Sequence, residues 1–520
     1  MTLREKVGQL FSPAAFVHDT EAEIQQLEAL IRDHHIGGIT FFHSRISAAA
    51  NFEKRQEVLQ TEGSLEKLQQ LIQRYQAASK TPLLISIDAE YGLAMRIEKT
   101  PQYPYAITLG ALPDSAEKMV YETGRQMGED LKKCGIHLNL APVADINTNP
   151  DNPVIGYRSF GPDKYKVTKW ALAMYRGMSD VGIGACLKHF PGHGDTHVDS
   201  HLGLPVINKT KDKLLEGELY PFAEGIKAGV EMIMVGHLAA PALSEGKVIP
   251  ASISRAIITG LLKGTMGFDG LVISDALNMK SVAGLFQEKG QLEWEAFNAG
   301  NDILCFSENI PEGIDFILNN ATPEQISLSF DKIAKLKQKL IKSIEFEPAS
   351  FDYHRIDSFQ KELAESYLTT LKKPADFHKH IKMAAESGTL LSVVVHAEEK
   401  QKYIKGLEAL GAKTILPEKT ALDSPQEIIV SLFVPSAKPL NHFGLDMEAI
   451  AQLSSMAKAC NCHLFLFGNP LALKEINGLS DFRSITCCFQ SFEATQEVAL
   501  AYISGTYKPA GELNLPFSWI

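Results

Sequence analysis

The sequence predicts an α/β protein: an N-terminal (β/α)8 TIM-type barrel followed by a smaller α/β sandwich domain. Three observations carry this. Short apolar runs alternate with helical patterns from the start of the chain to about residue 340. The runs are predominantly apolar, as parallel strands covered on both faces require. The runs number eight, and that even count favours a closed barrel over a doubly wound open sheet.

The runs are Leu10–Ala14, Ile36–Phe42, Leu83–Ile87, Ile136–Leu140, Ile183–Leu187, Met232–Val235, Leu271–Ile273 and Ile303–Phe306. Between them lie amphipathic stretches that predict helices over Glu21–His34, Ser64–Ala78, Ser115–Cys134, Lys164–Asp180 and Lys211–Gly229. A polar helix, Lys335–Ser343, leads into a linker, Glu345–His354. A second parallel α/β unit is expected beyond it, with strands at Thr389–Val395, Thr414–Leu416, Ile428–Val434, His463–Phe467 and Ser484–Cys488, and with helices such as Glu448–Ala459 and Glu493–Ser504. The domains are thus expected at 1–344 for the barrel, 345–375 for the linker and a bridging helix, and 376–520 for the sandwich. The second unit has no glycine-rich phosphate loop, and the chain has no internal repeat.

The 520 residues are 45% apolar and 22% charged, the balance of a globular protein. Mean hydropathy is −0.06, and no apolar run approaches the ~20 residues of a transmembrane segment. A net charge of −11 argues against nucleic acid or an anionic membrane as partner. Met1–Lys6 runs straight into an amphipathic pattern, with no signal peptide. The expected compartment is cytoplasmic for the chain as it stands, or periplasmic or exported if a leader precedes it. Oligomeric state is unknown from sequence. The seven cysteines are odd in number and irregular in spacing, and several lie inside apolar strand-like runs; they read as buried free thiols. A metal pair at Cys460 and Cys462 is the weaker alternative.

In such a barrel the reactive groups lie just past the C-terminal ends of the strands. That filter selects Asp88 after the third strand, Asp145 and then Arg158 after the fourth, Lys188 and His189 at the fifth, His237 at the sixth and Asp275 at the seventh. Wet strand ends would account for one or two polar residues; polar residues following five strands at once are expected to form a pocket. The stretch KHFPGHGDTHVDSH, residues 188–201, has histidines at 189, 193, 197 and 201. On a helix that spacing would stack four imidazoles as a metal site. Pro191, Gly192 and Gly194 break any helix there, so no metal is assigned and a loop bearing acid–base groups is expected. Asp199 and His201 are two apart: the carboxylate either orients the ring and raises its basicity, or forms a surface hydrogen bond. Asp275 is either a nucleophile or a helix N-cap.

These residues form a pattern that resembles glycoside hydrolase family 3, in its β-N-acetylglucosaminidase branch. The matching pieces, in family order, are KVGQLF, IGGITFF, ISIDAE with Arg96 eight residues after Asp88, LAPVADIN, YRSFG, KHFPGHGDTHVDSH, MVGH and GFDGLVISDALNM. The resemblance implies a retaining, exo-acting double displacement that releases terminal N-acetylglucosamine from cell-wall (muropeptide) or chitin-derived oligosaccharides. It makes Asp275 the nucleophile and His201, assisted by Asp199, the acid/base. Asp88, Arg96, Arg158, Lys188 and His189 would bind the sugar. The resemblance implies no cofactor and no metal; the partner is a carbohydrate substrate. A β-glucosidase, or a phosphorylase that takes phosphate in place of water, is the alternative within the same chemistry. A sugar-binding protein without catalysis and a metal-dependent hydrolase are the alternatives outside it. The chain departs from the family text after Asp88, where AEYGLAMR replaces a sequence close to QEGGRVQR, so Tyr91 and Leu93 alter the distal edge of the pocket. The second domain matches only through its α/β pattern and the terminal GELNLPF, and receives no catalytic role.

Overall fold

Eight parallel strands close into a ring in the computed structural model, which describes residues 1–43, 63–196, 203–341, 348–396, 400–416 and 426–515. They are β1 (Phe11–Ser12, resuming as Ala14–Phe16), β2 (Gly38–Phe42), β3 (Leu84–Ile87), β4 (Leu138–Asn139), β5 (Gly184–Ala185 and Leu187–Phe190), β6 (Met232–Val235), β7 (Leu271–Ser274) and β8 (Leu304–Cys305). Each pairs with the next, and β8 returns to β1 through Leu304 opposite Phe11. Single bridges complete the ring between β4 and β5 (Val143–Lys188) and between β7 and β8 (Ile273–Ile303). β1 is broken at Pro13, which lacks an N–H but whose carbonyl still accepts from Thr40.

Inside the ring, a ladder of small hydroxyls crosses four strands. Ser12 Oγ lies 2.9 Å from Thr40 Oγ1, which lies 2.9 Å from Ser86 Oγ and 3.6 Å from Cys305 Sγ. Ser86 also donates to the Ile39 carbonyl, so these buried groups satisfy one another.

The helices Glu21–His34, Ser64–Ala78 and Lys164–Asp180 have the predicted ends. The first starts at a Thr20–Glu23 capping box, the third at Asp163, which accepts from the Tyr165 and Lys166 N–H groups. Helices Glu117–Lys133 and Lys164–Asp180 approach closely: a Cβ on Gly124 would sit 2.2 Å from the Met174 carbonyl oxygen. Two elements differ from expectation. The predicted helix Lys211–Gly229 is two, Lys211–Glu216 and Tyr220–Lys227, because Gly217 leaves the helical region and Pro221 begins a new first turn. The polar helix starts at Pro323 rather than Lys335, at a Thr322–Gln325 capping box, and ends at Leu340.

The chain divides into two compact units. The first comprises Met1–Tyr103, Glu117–Ile155 and Asp163–Phe351; the second comprises Pro104–Ala116, Gly156–Pro162 and Asp352–Ile520. The second unit holds a six-stranded sheet built from β9 (Thr369–Lys372), β10 (Leu391–Val395), β11 (Lys413–Thr414), β12 (Glu427–Phe433), β13 (Asn461–Phe467) and β14 (Ser484–Cys487), in the order β9-β14-β13-β12-β10-β11. This sheet is mixed, which corrects the expectation of a parallel one: β9 runs antiparallel to β14. β9 escapes a search for apolar runs because it is an edge strand reading Thr-Thr-Leu-Lys, mostly half-buried. All seven cysteines are buried free thiols.

Candidate active site

The pocket residues follow from where each barrel strand stops being apolar. After Ile87 of β3 comes Asp88, and the chain then turns back through Glu90, Gly92 and a short 3-10 turn, Leu93–Met95, to Arg96. Gly92 has φ +99°, and a Cβ there would meet the Pro101 carbonyl at 2.8 Å. This reversal returns the Arg96 guanidinium to Asp88, with Nη2 3.4 Å from Oδ2. The guanidinium carbon also lies 3.6 Å above the ring of Phe42, at the end of β2, which fixes the plane of the fork.

Lys188, in β5, is 2% exposed and donates to Asp88 Oδ1 and to Glu90 Oε1, each at 2.7 Å. A buried ammonium is tolerated when paired in this way. Asp88 thus bridges two cations and stays partly open, the arrangement needed for short charged hydrogen bonds to hydroxyl groups.

His189 is held from behind. Asp145, fully buried after β4, receives the His189 ring at 2.8 Å (Nδ1 to Oδ2). Its Oδ1 accepts the backbone N–H of His189 at 3.2 Å and of His193 at 2.7 Å. Burial alone would raise this carboxyl; the facing histidines and their hydrogen bonds outweigh it and hold Asp145 below its ordinary value. The proton of His189 is thereby kept on Nδ1, and Asp145 organises the start of the His-rich loop.

That loop is tied down as far as Thr196. His193 Nδ1 lies 2.7 Å from Thr196 Oγ1, Asn149 donates to the Thr196 carbonyl at 2.9 Å, and Asn152 donates to the His193 carbonyl at 3.0 Å. Asp195 accepts from Thr148 at 3.0 Å and pairs with Lys209 at 2.8 Å. Asp199 and His201, the expected acid/base pair, lie outside the described residues.

Asp275 follows β7 and is half-buried. Its backbone N–H donates to the Val235 carbonyl, and its Oδ1 accepts the Ala276 N–H at 2.8 Å. Burial pushes the carboxyl up; the positive fields of His237, His189 and Lys188, with the Ala276 N–H, outweigh it and hold the group at about 2. Asp275 is therefore a carboxylate throughout the neutral range. No regular helix begins at Ala276, and the next starts at Lys280, so the N-cap alternative loses its basis. His237 is clamped between Ser252 Oγ (2.6 Å from Nδ1) and the Ala276 carbonyl (2.8 Å from Nε2). The carbonyl only accepts, so Nε2 carries a proton.

The structure brings Asp88, Arg96, Lys188, His189 and Asp275 to one end of the barrel. Arg158 closes a 3-10 turn, Gly156–Arg158, in a segment that belongs to the second unit. Strand-end reasoning passed over Glu90 and Phe42. The signal for Glu90 was its place two residues after Asp88; the stacking of Phe42 has no signature in sequence.

Residues 2–336 match the family model described as the glycosyl hydrolase family 3 N terminal domain, and the chain belongs to that family. Among its relatives is "Beta-hexosaminidase A" of Pseudoalteromonas piscicida, 36% identical over 345 residues, which are 61% of this chain and 56% of the relative. The chain thus spans little more than half the length of that curated relative. "Beta-hexosaminidase" of Xylella fastidiosa (strain M23) is 30% identical over 307 residues, 58% of this chain and 81% of the relative. The fold is shared with a glycoside hydrolase family 3 β-N-acetylglucosaminidase from Paenibacillus sp. str. FPU-7, with a TM-score of 0.76 at 24% identity over 99% of each chain.

Proposed function

We propose that the protein is a retaining, exo-acting β-N-acetylglucosaminidase acting on terminal N-acetylglucosamine of cell-wall or chitin-derived oligosaccharides. The observation that carries this reading is Asp275: a half-buried carboxylate held at about 2 by the histidines and lysine that face it. A nucleophile must be anionic, and at that value Asp275 is ionised at neutral pH, which supports the role. In the first step a carboxylate oxygen of Asp275 bonds to the anomeric carbon as the bond to the aglycone oxygen breaks. His201, assisted by Asp199, gives that oxygen its proton. In the second step His201 takes a proton from water, the water oxygen bonds to the anomeric carbon, and Asp275 leaves as carboxylate. Most retaining glycosidases use two carboxylates; here a histidine serves as the second group. Asp88, Arg96, Lys188 and His189 hold the sugar hydroxyls and the acetamide, and Arg158 completes the set proposed for the sugar. The beta-hexosaminidase names of the relatives support the same substrate class.

The test is the hydrolysis of an aryl N-acetyl-β-glucosaminide against the matching aryl β-glucoside. The N-acetyl sugar is expected to be preferred by roughly 100-fold or more in kcat/KM, since a site built for an amide leaves polar groups unpaired without it. Preference for the glucoside would overturn the sugar assignment in favour of a β-glucosidase. Turnover that requires inorganic phosphate would replace water as acceptor.

A further inference from the structure

We propose that His18, His43 and Glu98 form a binding site for a borderline divalent transition metal of the zinc class at the mouth of the barrel, distinct from the residues assigned to sugar chemistry. The three side chains come from three separate segments. His18 follows β1, His43 directly follows β2, and Glu98 lies in the turn after β3. One ligating atom from each lies within 4.8 Å of the other two. His43 Nε2 is 2.5 Å from Glu98 Oε1, and the rings of His18 and His43 meet edge to face at 4.7 Å between centroids. Among the described residues no other group of three histidine, cysteine or acidic side chains converges in this way.

The donor set decides the class of ion. Two imidazoles and one carboxylate suit zinc, cobalt, nickel or copper, whereas calcium and magnesium take oxygen ligands. Around a tetrahedral zinc with bonds of ~2.0–2.1 Å, neighbouring ligand atoms stand about 3.3 Å apart. Reaching that geometry asks the His43–Glu98 contact to open by under about 1 Å and His18 to swing inward. The movements fall where freedom exists. The His43 side chain is 3% exposed and fixed at a strand end, Glu98 is 30% exposed, and His18 is itself exposed in the turn after β1. Three protein ligands leave a fourth position for water or a ligand hydroxyl. The simpler account is a hydrogen-bonded His43–Glu98 pair with His18 packed beside it. That account gives His18 no role in metal affinity, and this separates the two.

The experiment is a cobalt titration of the full chain after exhaustive chelation, read as the visible d–d absorbance of bound Co2+, with Zn2+ added afterwards to displace it. One Co2+ per chain is expected, lost on addition of Zn2+ and unaffected by excess Ca2+ or Mg2+. His18→Ala, an exposed substitution, and Glu98→Gln should each weaken binding by tenfold or more while leaving the thermal midpoint of the apo protein unchanged for His18→Ala. Absence of stoichiometric binding would overturn the proposal. So would binding that persists undiminished in both variants, which would locate the metal elsewhere, or equal competition by Ca2+.

Discussion

At the residue scale, the proposed site turns on one carboxylate and one ammonium. Asp275 draws its low proton affinity from His237, His189, the Ala276 N–H and Lys188, which together outweigh its burial. Asp275→Asn keeps the shape and removes the charge; turnover of the aryl N-acetyl-glucosaminide is expected to fall by roughly 10³-fold or more. Activity retained within tenfold would remove Asp275 from the nucleophile role. Lys188 holds Asp88 and Glu90 together while almost wholly buried. Lys188→Met removes the ammonium shared by Asp88 and Glu90 from a buried site, and a loss of about 3–5 kcal/mol in unfolding free energy is expected together with loss of activity. An unchanged denaturation midpoint would show that the ion pairs add nothing. Much of this was legible in the sequence, because a strand that reads apolar to its last residue and then turns charged marks its own end. Asp88, Asp145, Lys188, His189, His237 and Asp275 were selected in that way, although Lys188 and His189 lie within β5 rather than beyond its end. The Arg96–Phe42 stack and the grip of Asp145 on the His193 N–H were not, because both depend on how loops return to the barrel rather than on any local pattern.

At the element scale, the loop after β5 is a tethered structure up to Thr196. Asn152 is its hub: Nδ2 donates to the His193 carbonyl, and Oδ1 accepts from the Val154 and Ile155 N–H groups. Asn152→Ala should loosen the segment leading to Asp199 and His201. Turnover of substrates with poor leaving groups, which need the acid, is expected to fall more than that of aryl substrates with good ones. Equal losses on both would argue against a positioning role. At the opposite end of the ring, His137 precedes β4 and accepts the Ile85 N–H on Nδ1 at 3.0 Å. Burial first, and Lys337 second, lower this ring to about 4. A base with a lowered folded-state value destabilises the fold wherever the unfolded chain would bind the proton. Stability should therefore fall as pH drops from about 6.5 to about 4, by an amount on the order of 3 kcal/mol, and level off below. His137→Asn, which offers an oxygen near the same place, should flatten urea-unfolding free energy across that window; an unchanged slope would assign the loss to other groups. Element type was well read where apolar runs or capping pairs spoke for it. The errors fell at Gly217, where one helix becomes two, at the unread capping box of Thr322, and at the edge strand β9, whose half-buried pattern resembles a loop.

At the scale of the whole molecule, the barrel was legible because its strands are covered on both faces and so read as predominantly apolar runs. The composition of the two units was less so. Pro104–Ala116 and Gly156–Pro162 are interleaved in sequence with barrel elements yet belong to the second unit. No local signal in those segments announces this, and Arg158 travels with one of them. The net charge of −11 predicts no retention on a polyanion column at physiological salt. The proposed reaction uses side chains alone, so full activity is expected after EDTA treatment, whatever ion occupies the His18–His43–Glu98 site. The most direct test of the central claim is to trap the glycosyl-enzyme with a fluorinated N-acetylglucosaminide whose second step is slow, digest the protein, and map the added mass. The proposed mechanism predicts one adduct, on the peptide containing Asp275 and absent from Asp275→Asn. An adduct on another carboxylate, or inversion of the anomeric configuration with no adduct at all, would contradict it.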